Sequence, residues 1–284
     1  MYHNIKLPTQ DSFFNGKSVC FTEDGKLILR LDSKLIAWDI QSWKHITWKI
    51  KTEIRLVNDR RITGQYKGNK DYFEYNGVKS FKCMTVLKNK IAIGTDSEII
   101  IITKDTLIKI NSADLSNATS LAFDPKGENL FIGSSYGSLC RMSLTNFSIE
   151  CNQYQTSRIS NIALDNDGSY LASANFDGTI ALWHIHIHDN WNTLLPLRLI
   201  APIDYNSTLK EANSVYCAVF NTNSEYLLAG YKSGKILKWP VSMDKLAELI
   251  CTKADTTLNA TILKKYINKE ATINEVLKYE CKKH

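Results

Sequence analysis

The chain has 284 residues, of which 44% are hydrophobic and 23% are charged, a composition typical of a folded protein rather than a disordered one. With only 13 glycines and 5 prolines it is not collagen-like, and no apolar run is long enough for a membrane-spanning helix. The first residues lack the apolar core of a secretory signal, so we expect a cytoplasmic protein, mildly basic with a net charge of +6.

Short apolar strands separated by turns recur from the start of the chain. Residues 18–39 (SVCFTEDGKLILRLDSKLIAWD) contain three of them, and residues 45–50 follow as a fourth, outer strand. Residues 53–77 are strand-like but irregular, and they are either a degenerate repeat or a long insertion. Residues 83–103 (CMTVLKNKIAIGTDSEIIIIT) return to the three-strand pattern, with residues 106–110 as the outer strand.

Three clearer repeats follow, at residues 119–142, 159–183 and 215–239, and residues 192–200 supply an outer strand for the second of them. Thr103, Ser143 and Trp183 end successive units at intervals of 40 residues, and Trp239 ends the last unit after an insertion. The apolar runs are short, rich in β-branched residues and bounded by glycine turns, which favours strands over helices. A period near 40 with several strands per unit predicts the blades of a propeller.

A helical pattern replaces the strands near residue 241. Ser242 is suited to cap a helix, and apolar residues then recur at helical spacing. The sequence therefore predicts a β-propeller at residues 1–240 and a short helical tail at residues 241–284.

The repeat at 159–183 (ISNIALDNDGSYLASANFDGTIALW) resembles a WD-repeat blade. The similarity lies in Ser173, the Asp177-Gly178-Thr179-Ile180 turn and Trp183, together with the turn at residues 165–168. Tyr136 and Ser233 replace the turn aspartate in the neighbouring repeats, and no Gly-His dipeptide occurs. The resemblance implies an all-β, WD-repeat-like propeller of about six blades, within a range of five to seven.

The tail is similar to the short helical C-terminus that follows the last blade in bacterial WD-repeat signalling proteins. The matching residues are 249–251, 265–267 and 279–281. This resemblance implies a bacterial signalling or defence assembly, with a signalling ATPase or a protease-like effector as the expected protein partner.

The WD-repeat resemblance also implies that partners bind loops at one end of the propeller, where aromatic residues and arginine make typical interface anchors. It maps nine positions in three blades to that end. These candidate partner-binding residues are Asn117, Thr119, Ser135, Arg158, Ser160, Phe176, Ser214, Tyr216 and Lys232.

The seven cysteines form no CxxC pair and show no zinc-finger spacing. We therefore expect free thiols in a reducing compartment. No motif of a hydrolase, metalloprotease or nucleotide-binding loop occurs, so we expect no enzyme, no cofactor and no small-molecule substrate.

Two alternative functions remain open at this stage. His184, His186 and His188 alternate along one strand and so share a face, which makes them a candidate metal site, catalytic or otherwise. The stretch 44–79 interleaves basic and aromatic residues, a pattern suited to single-stranded nucleic acid. The leading hypothesis is nevertheless a non-catalytic protein-interaction scaffold or sensor module.

Overall fold

The computed structural model describes most of the central part of the chain and selected segments before and after it. The described residues are 19–21, 26–31, 34–39, 41–42, 44–46, 51–57, 60–65, 73–74, 82–103, 105–185, 190–200, 214–242 and 244–246. The chain divides into two compact units, residues 1–159 and 160–284, and each is described by itself.

The first sheet of the first unit is built on a hairpin of two six-residue strands. In the order β1-β2-β3-β4 each strand pairs antiparallel with the next. Strand β7 also pairs with β3, along the same edge that pairs with β4. Of the predicted outer strand at 45–50, His45–Ile46 form the short strand β4, and residues 47–50 lie outside the described residues. The five strands are β1 (Val19–Phe21), β2 (Lys26–Leu31), β3 (Lys34–Asp39), β4 (His45–Ile46) and β7 (Phe73–Glu74).

The second sheet explains the irregular stretch after residue 50. Strands β5 (Thr52–Val57) and β6 (Arg60–Gln65) form a hairpin, and β5 pairs in parallel with the outer strand β11. The hairpin therefore extends an existing four-stranded repeat from outside and does not form a separate sheet, which favours the insertion over the degenerate repeat. The other strands are β8 (Cys83–Leu87), β9 (Lys90–Gly94), β10 (Glu98–Ile102) and β11 (Thr106–Asn111).

Isoleucine-rich strands bury both faces of this second sheet. Ile99, Ile100, Ile101 and Ile102 are each at most 2% exposed, so successive side chains of β10 are covered on both sides. Such continuous burial accounts for the unbroken apolar run in the sequence, because a strand with one wet face would alternate with polar residues.

The third sheet, also in the first unit, is a regular four-stranded antiparallel meander. Its strands are β12 (Ala118–Phe123), β13 (Asn129–Ser134), β14 (Leu139–Ser143) and β15 (Ile149–Asn152), with a 3₁₀ turn at Ala113–Leu115 before them. Apolar side chains of the second and third sheets share one core that includes Leu121, Leu130 and Ile132.

A disulfide between Cys140 and Cys151 contradicts the prediction that all cysteines are free thiols. The two residues are directly opposite in the register of β14 and β15, with their Cα atoms 4.0 Å apart. The β14–β15 hairpin brings together two cysteines that are 11 residues apart in sequence. A search for CxxC spacing therefore does not detect the pair. Cys83 and Cys217, which also lie within the described residues, are not part of a disulfide.

The second unit contains the fourth and fifth sheets. The fourth has the order β16-β17-β18-β19, and the fifth has the order β20-β21-β22. Of the predicted outer strand at 192–200, only residues 198–200 form a strand, β19, whereas Trp191–Thr193 form a 3₁₀ turn. Pro240 ends β22. The bounds are β16 (Ile159–Leu164, beginning at the last residue of the first unit), β17 (Tyr170–Asn175), β18 (Ile180–His184), β19 (Arg198–Ile200), β20 (Val215–Phe220), β21 (Tyr226–Tyr231) and β22 (Ile236–Pro240).

One face of the fourth sheet packs on one face of the fifth. Ala172, Ile180 and Leu182 share a buried core with Ala218 and Ala229. The small side chains of Ala172, Ala218 and Ala229 let the two sheets approach closely, as sequential blades require.

The predicted helix cap at Ser242 is confirmed within the described residues. Ser242 Oγ accepts a hydrogen bond from the backbone N–H of Lys245 at 3.2 Å, and residues 244–246 form a helical turn. The remainder of the predicted tail, residues 247–284, lies outside the described residues.

Candidate functional site

The blade motif that carries the family resemblance is assembled in the fourth sheet. Trp183 is fully buried, and its Nε1 donates a hydrogen bond to Ser173 Oγ at 2.9 Å. Asp177 Oδ1 accepts hydrogen bonds from the backbone N–H and the hydroxyl of Thr179. The serine and tryptophan thus fasten two strands together, while the aspartate fixes the β17–β18 turn.

Three of the nine candidate partner-binding residues have buried hydroxyls that hold the backbone together. Thr119 Oγ1 donates to the carbonyls of Gly133 and Ile159. Ser160 Oγ donates to Ala174 and Val215 in the same way, one repeat later. The third residue is Ser214, whose Oγ donates to the carbonyl of Phe176 at 2.6 Å.

The corresponding exposed residues of the second unit lie around an aromatic pair. The rings of Phe176 and Tyr216 are 6.0 Å apart, and Tyr216 is 46% exposed. Ser214 links the two elements that carry them, because its hydroxyl contacts the backbone of Phe176 and its carbonyl accepts from the N–H of Lys232 at 2.8 Å. Lys232 is exposed. The structure therefore brings Phe176, Tyr216 and Lys232 to one end of the fourth and fifth sheets.

Residues at the corresponding end of the third sheet belong to the first unit. The carbonyl of Asn117 accepts from the N–H of Ser135 at 3.0 Å, which holds these two half-buried candidates together. Asn117 itself has a positive φ of 57°, a conformation that asparagine tolerates better than most residues. Arg158 is exposed.

Two exposed tyrosines at this end of the third sheet were not among the sequence candidates. Tyr136 lies in the β13–β14 turn and is 68% exposed, and Tyr154 follows β15 and is 44% exposed. The signal for Tyr136 was present in the sequence, because an aromatic residue occupies the turn position where the fourth sheet has Asp177. Tyr154 gave no such signal, since it lies outside the repeated strands.

An unusual carboxyl pair lies in the turn between β16 and β17. Burial raises the pKa of Asp165 to about 6, and the neighbouring carboxyl of Asp167 adds to the effect. Asp165 Oδ1 also accepts a hydrogen bond from the N–H of Tyr170 at 2.8 Å, so the carboxyl holds the turn together. The pKa of Asp167 is lowered, chiefly by its hydrogen bond with Asp165.

Of the three histidines, only His184 lies within the described residues. It packs edge-on against Tyr170, with ring centroids 5.0 Å apart. No group of three metal-ligating side chains occurs among the residues that the structure describes. His186 and His188 lie outside them, so the metal hypothesis stays a prediction.

The basic stretch at 44–79 is divided between two sheets. Within its described residues it contributes β4 and β7 to the first sheet and the β5–β6 hairpin to the second. Glu53 on β5 accepts a hydrogen bond from Arg55 at 2.9 Å and pairs with Lys109 at 2.8 Å. Part of the positive charge of the stretch 44–79 is thus compensated by Glu53.

Comparison with known families agrees with this geometry. The family described as WD domain, G-beta repeat matches residues 147–184, which include β15 through β18 and the Ser173–Trp183 pair. Together with the many-stranded all-β architecture, this match supports a WD-repeat family. The sheets of each unit are consistent with the blades of a WD-repeat β-propeller.

WD-repeat domains generally serve as scaffolds for protein–protein interaction and are typically non-catalytic. No curated protein matches the sequence. Within the part of the chain that the structure describes, no helix has the length and apolarity needed to cross a membrane.

Proposed function

We propose that this protein is a non-catalytic interaction scaffold or sensor module that binds a protein partner through turns at one end of its blades. The observation that supports the proposal is the aromatic pair of half-buried Phe176 and exposed Tyr216, whose segments are linked by the buried Ser214. Rigid aromatic side chains bury a large area at a small cost in conformational entropy, which is why they dominate binding hot spots.

Exposed charged and aromatic residues in each unit also support the proposal. Lys232 adds an exposed positive charge beside the Phe176–Tyr216 pair, and Arg158, Tyr136 and Tyr154 are exposed in the first unit. Strand pairing fixes the scaffold, whereas turn residues can vary without disturbing it. We infer a cytoplasmic bacterial signalling or defence assembly as the context, with an ATPase or protease-like effector as the partner, from the similarity of the tail.

Site-specific photo-crosslinking in the source cells tests this proposal. A photoreactive phenylalanine analogue at position 176 or 216 should crosslink to one defined protein, and the same analogue at Leu195 should not. Leu195 is a suitable control because it is 58% exposed but lies in the connection between β18 and β19.

Affinity measurement with the purified partner then gives a quantitative check. Phe176→Ala with Tyr216→Ala should weaken binding at least about a hundredfold, as expected for two hot-spot aromatics, without changing the melting temperature by more than a few degrees. Equal crosslinking at positions 176 and 195, or unchanged affinity in the double variant, would contradict the proposal.

A further inference from the structure

The disulfide of the third sheet occupies a position where the fourth sheet has two aliphatic residues. Cys140 on β14 pairs in register with Cys151 on β15, and Ala181 on β18 pairs in the same way with Leu199 on β19. A covalent bond is thus not needed to hold an outer strand in this fold. We therefore expect the disulfide of the third sheet to have a role besides holding the outer strand in place.

The disulfide lies next to the exposed tyrosines of the first unit. The turn that carries Tyr136 leads directly into β14, and Tyr154 follows β15 after one intervening residue. The two segments are also linked by a hydrogen bond from Ser138 Oγ to Gln153 Oε1 at 2.9 Å. The Cys140–Cys151 bond therefore fixes the segment with Tyr154 to the strand that follows Tyr136.

The outer strand is held by a short ladder besides the disulfide, and Ile149 and Cys151 pack against the shared core. Strand β15 has four residues, and Arg141 and Glu150 form an ion pair across its register with β14. Short strands at the edge of a sheet open locally at a lower free-energy cost than the central strands. Breaking the disulfide would consequently loosen β15 before it affects the rest of the sheet.

We propose that Cys140 and Cys151 form a reversible redox site that takes a dithiol reductant, and that its state controls how firmly Tyr154 is held beside the Tyr136 turn. The proposed redox site depends only on the geometry around Cys140 and Cys151. Its consequence for partner binding rests on the proposed function.

The exchange reaction begins at the more accessible sulfur. Cys140 is 1% exposed, whereas Cys151 is half-buried. A thiolate of the dithiol attacks Cys151 Sγ, forms a mixed disulfide and releases the Cys140 thiolate, which takes up a proton. The second thiol of the reductant then loses its proton and attacks the other reductant sulfur, which is bonded to Cys151 Sγ in the mixed disulfide. The released Cys151 thiolate takes up a proton. The dithiol becomes a cyclic disulfide, and two electrons and two protons pass to the protein.

Differential alkylation of the full chain tests the redox site. The protein is equilibrated with either reduced or oxidised dithiothreitol, denatured in N-ethylmaleimide and mapped by mass spectrometry. Cys140 and Cys151 should be alkylated only after reduction, whereas Cys83 and Cys217 should be alkylated in both samples. Alkylation of Cys140 and Cys151 in both samples would overturn the proposal, and so would resistance of the disulfide to reduction in the folded protein.

Hydrogen exchange tests the structural consequence. Reduction should accelerate amide exchange in residues 149–157 at least about tenfold and leave β16–β18 unchanged, as expected for local opening. Equal exchange of residues 149–157 in the oxidised and reduced protein would overturn the proposed control of Tyr154.

Two variants make the assignment specific. Cys140→Ala with Cys151→Leu copies the Ala181–Leu199 pair of the fourth sheet, so it should fold and its exchange should not respond to dithiothreitol. Cys217→Ser removes an exposed thiol and should keep the full response. A response in the first variant, or its loss in the second, would overturn the assignment to Cys140 and Cys151. Because these readouts need no partner, failure of the redox site is distinguishable from failure of the crosslinking experiment.

Discussion

Single residues in the turns determine how closely neighbouring segments approach. Gly137, in the β13–β14 turn, has a φ of 87°, and a Cβ atom there would lie 2.8 Å from the carbonyl carbon of Gln155. Gly234, in the β21–β22 turn, has a similar φ of 81° but open space around its Cα. The two glycines share the left-handed conformation and differ only in crowding.

Alanine substitution at these two glycines should therefore give unequal losses of stability. Gly234→Ala should cost about 1 kcal/mol, from the left-handed backbone alone. Gly137→Ala should cost at least about 2 kcal/mol more, because the backbone of Gln155 must move as well. Urea unfolding of both variants measures the difference, and equal losses would show that crowding at Gly137 does not contribute.

The carboxyl pair at Asp165 and Asp167 predicts a stability that depends on pH. The pKa of Asp165 is about 6 in the folded protein against an ordinary value of 3.8, so the folded state binds this proton more tightly than the unfolded chain does. The resulting stabilisation is present below about pH 4 and is lost as the pH rises through about 6.

Replacement of Asp165 by asparagine should remove that dependence. The amide oxygen can still accept from the N–H of Tyr170, so the turn is retained while titration is lost. The free energy of unfolding of Asp165→Asn, measured by urea titration from pH 4 to 7.5, should therefore decline less towards neutral pH than that of the parent. Asp167→Asn should lower the pKa of Asp165 and reduce the decline only in part. A parallel decline in the parent and Asp165→Asn would contradict the assignment.

At the scale of elements, equivalent positions in different sheets have different surroundings. Ile180 and Ile236 begin the third strand of the fourth and fifth sheets, and each pairs in register with the last small residue of the preceding strand, Ala174 or Gly230. Ile180 is fully buried because the fifth sheet covers it, whereas Ile236 is 75% exposed. Within the part of the chain that the structure describes, this position of the fifth sheet thus lacks the cover that Ile180 has in the fourth sheet.

Alanine at these two positions should have very different effects. Ile180→Ala should lower the free energy of unfolding by about 2–5 kcal/mol, because it leaves a cavity in a packed core. Ile236→Ala should change it by less than about 0.5 kcal/mol. Thermal and urea unfolding of both variants measure the contrast. A large loss from Ile236→Ala would mean that another surface covers this face in solution.

Prediction from sequence succeeded for elements whose pattern is local. Alternating or continuous apolar runs between glycine turns identify the strands of the third and fourth sheets, and the serine and tryptophan of the blade motif meet as their spacing suggests. The cap at Ser242 is equally local, since it depends on only the next three residues.

Prediction from sequence was incomplete where a segment pairs with another segment that is distant along the chain. The parallel pairing of β5 with β11 joins segments about 50 residues apart, so no local pattern reveals that the hairpin extends the second sheet. Likewise, the position of a serine or threonine at the start of a blade does not reveal whether its hydroxyl is exposed to solvent. Thr119 and Ser160 are buried because neighbouring carbonyls approach them in the folded protein.

At the scale of the whole molecule, the sequence by itself determined the repeating strand pattern and the class of protein. Both follow from side-chain periodicity and turn residues, which act over a few positions. Only the tertiary structure decided which cysteines are joined, which candidate residues are exposed and where aromatic side chains gather. These properties depend on register and packing between segments that are far apart along the chain, and the physical forces that set them have no signature in any single stretch of sequence.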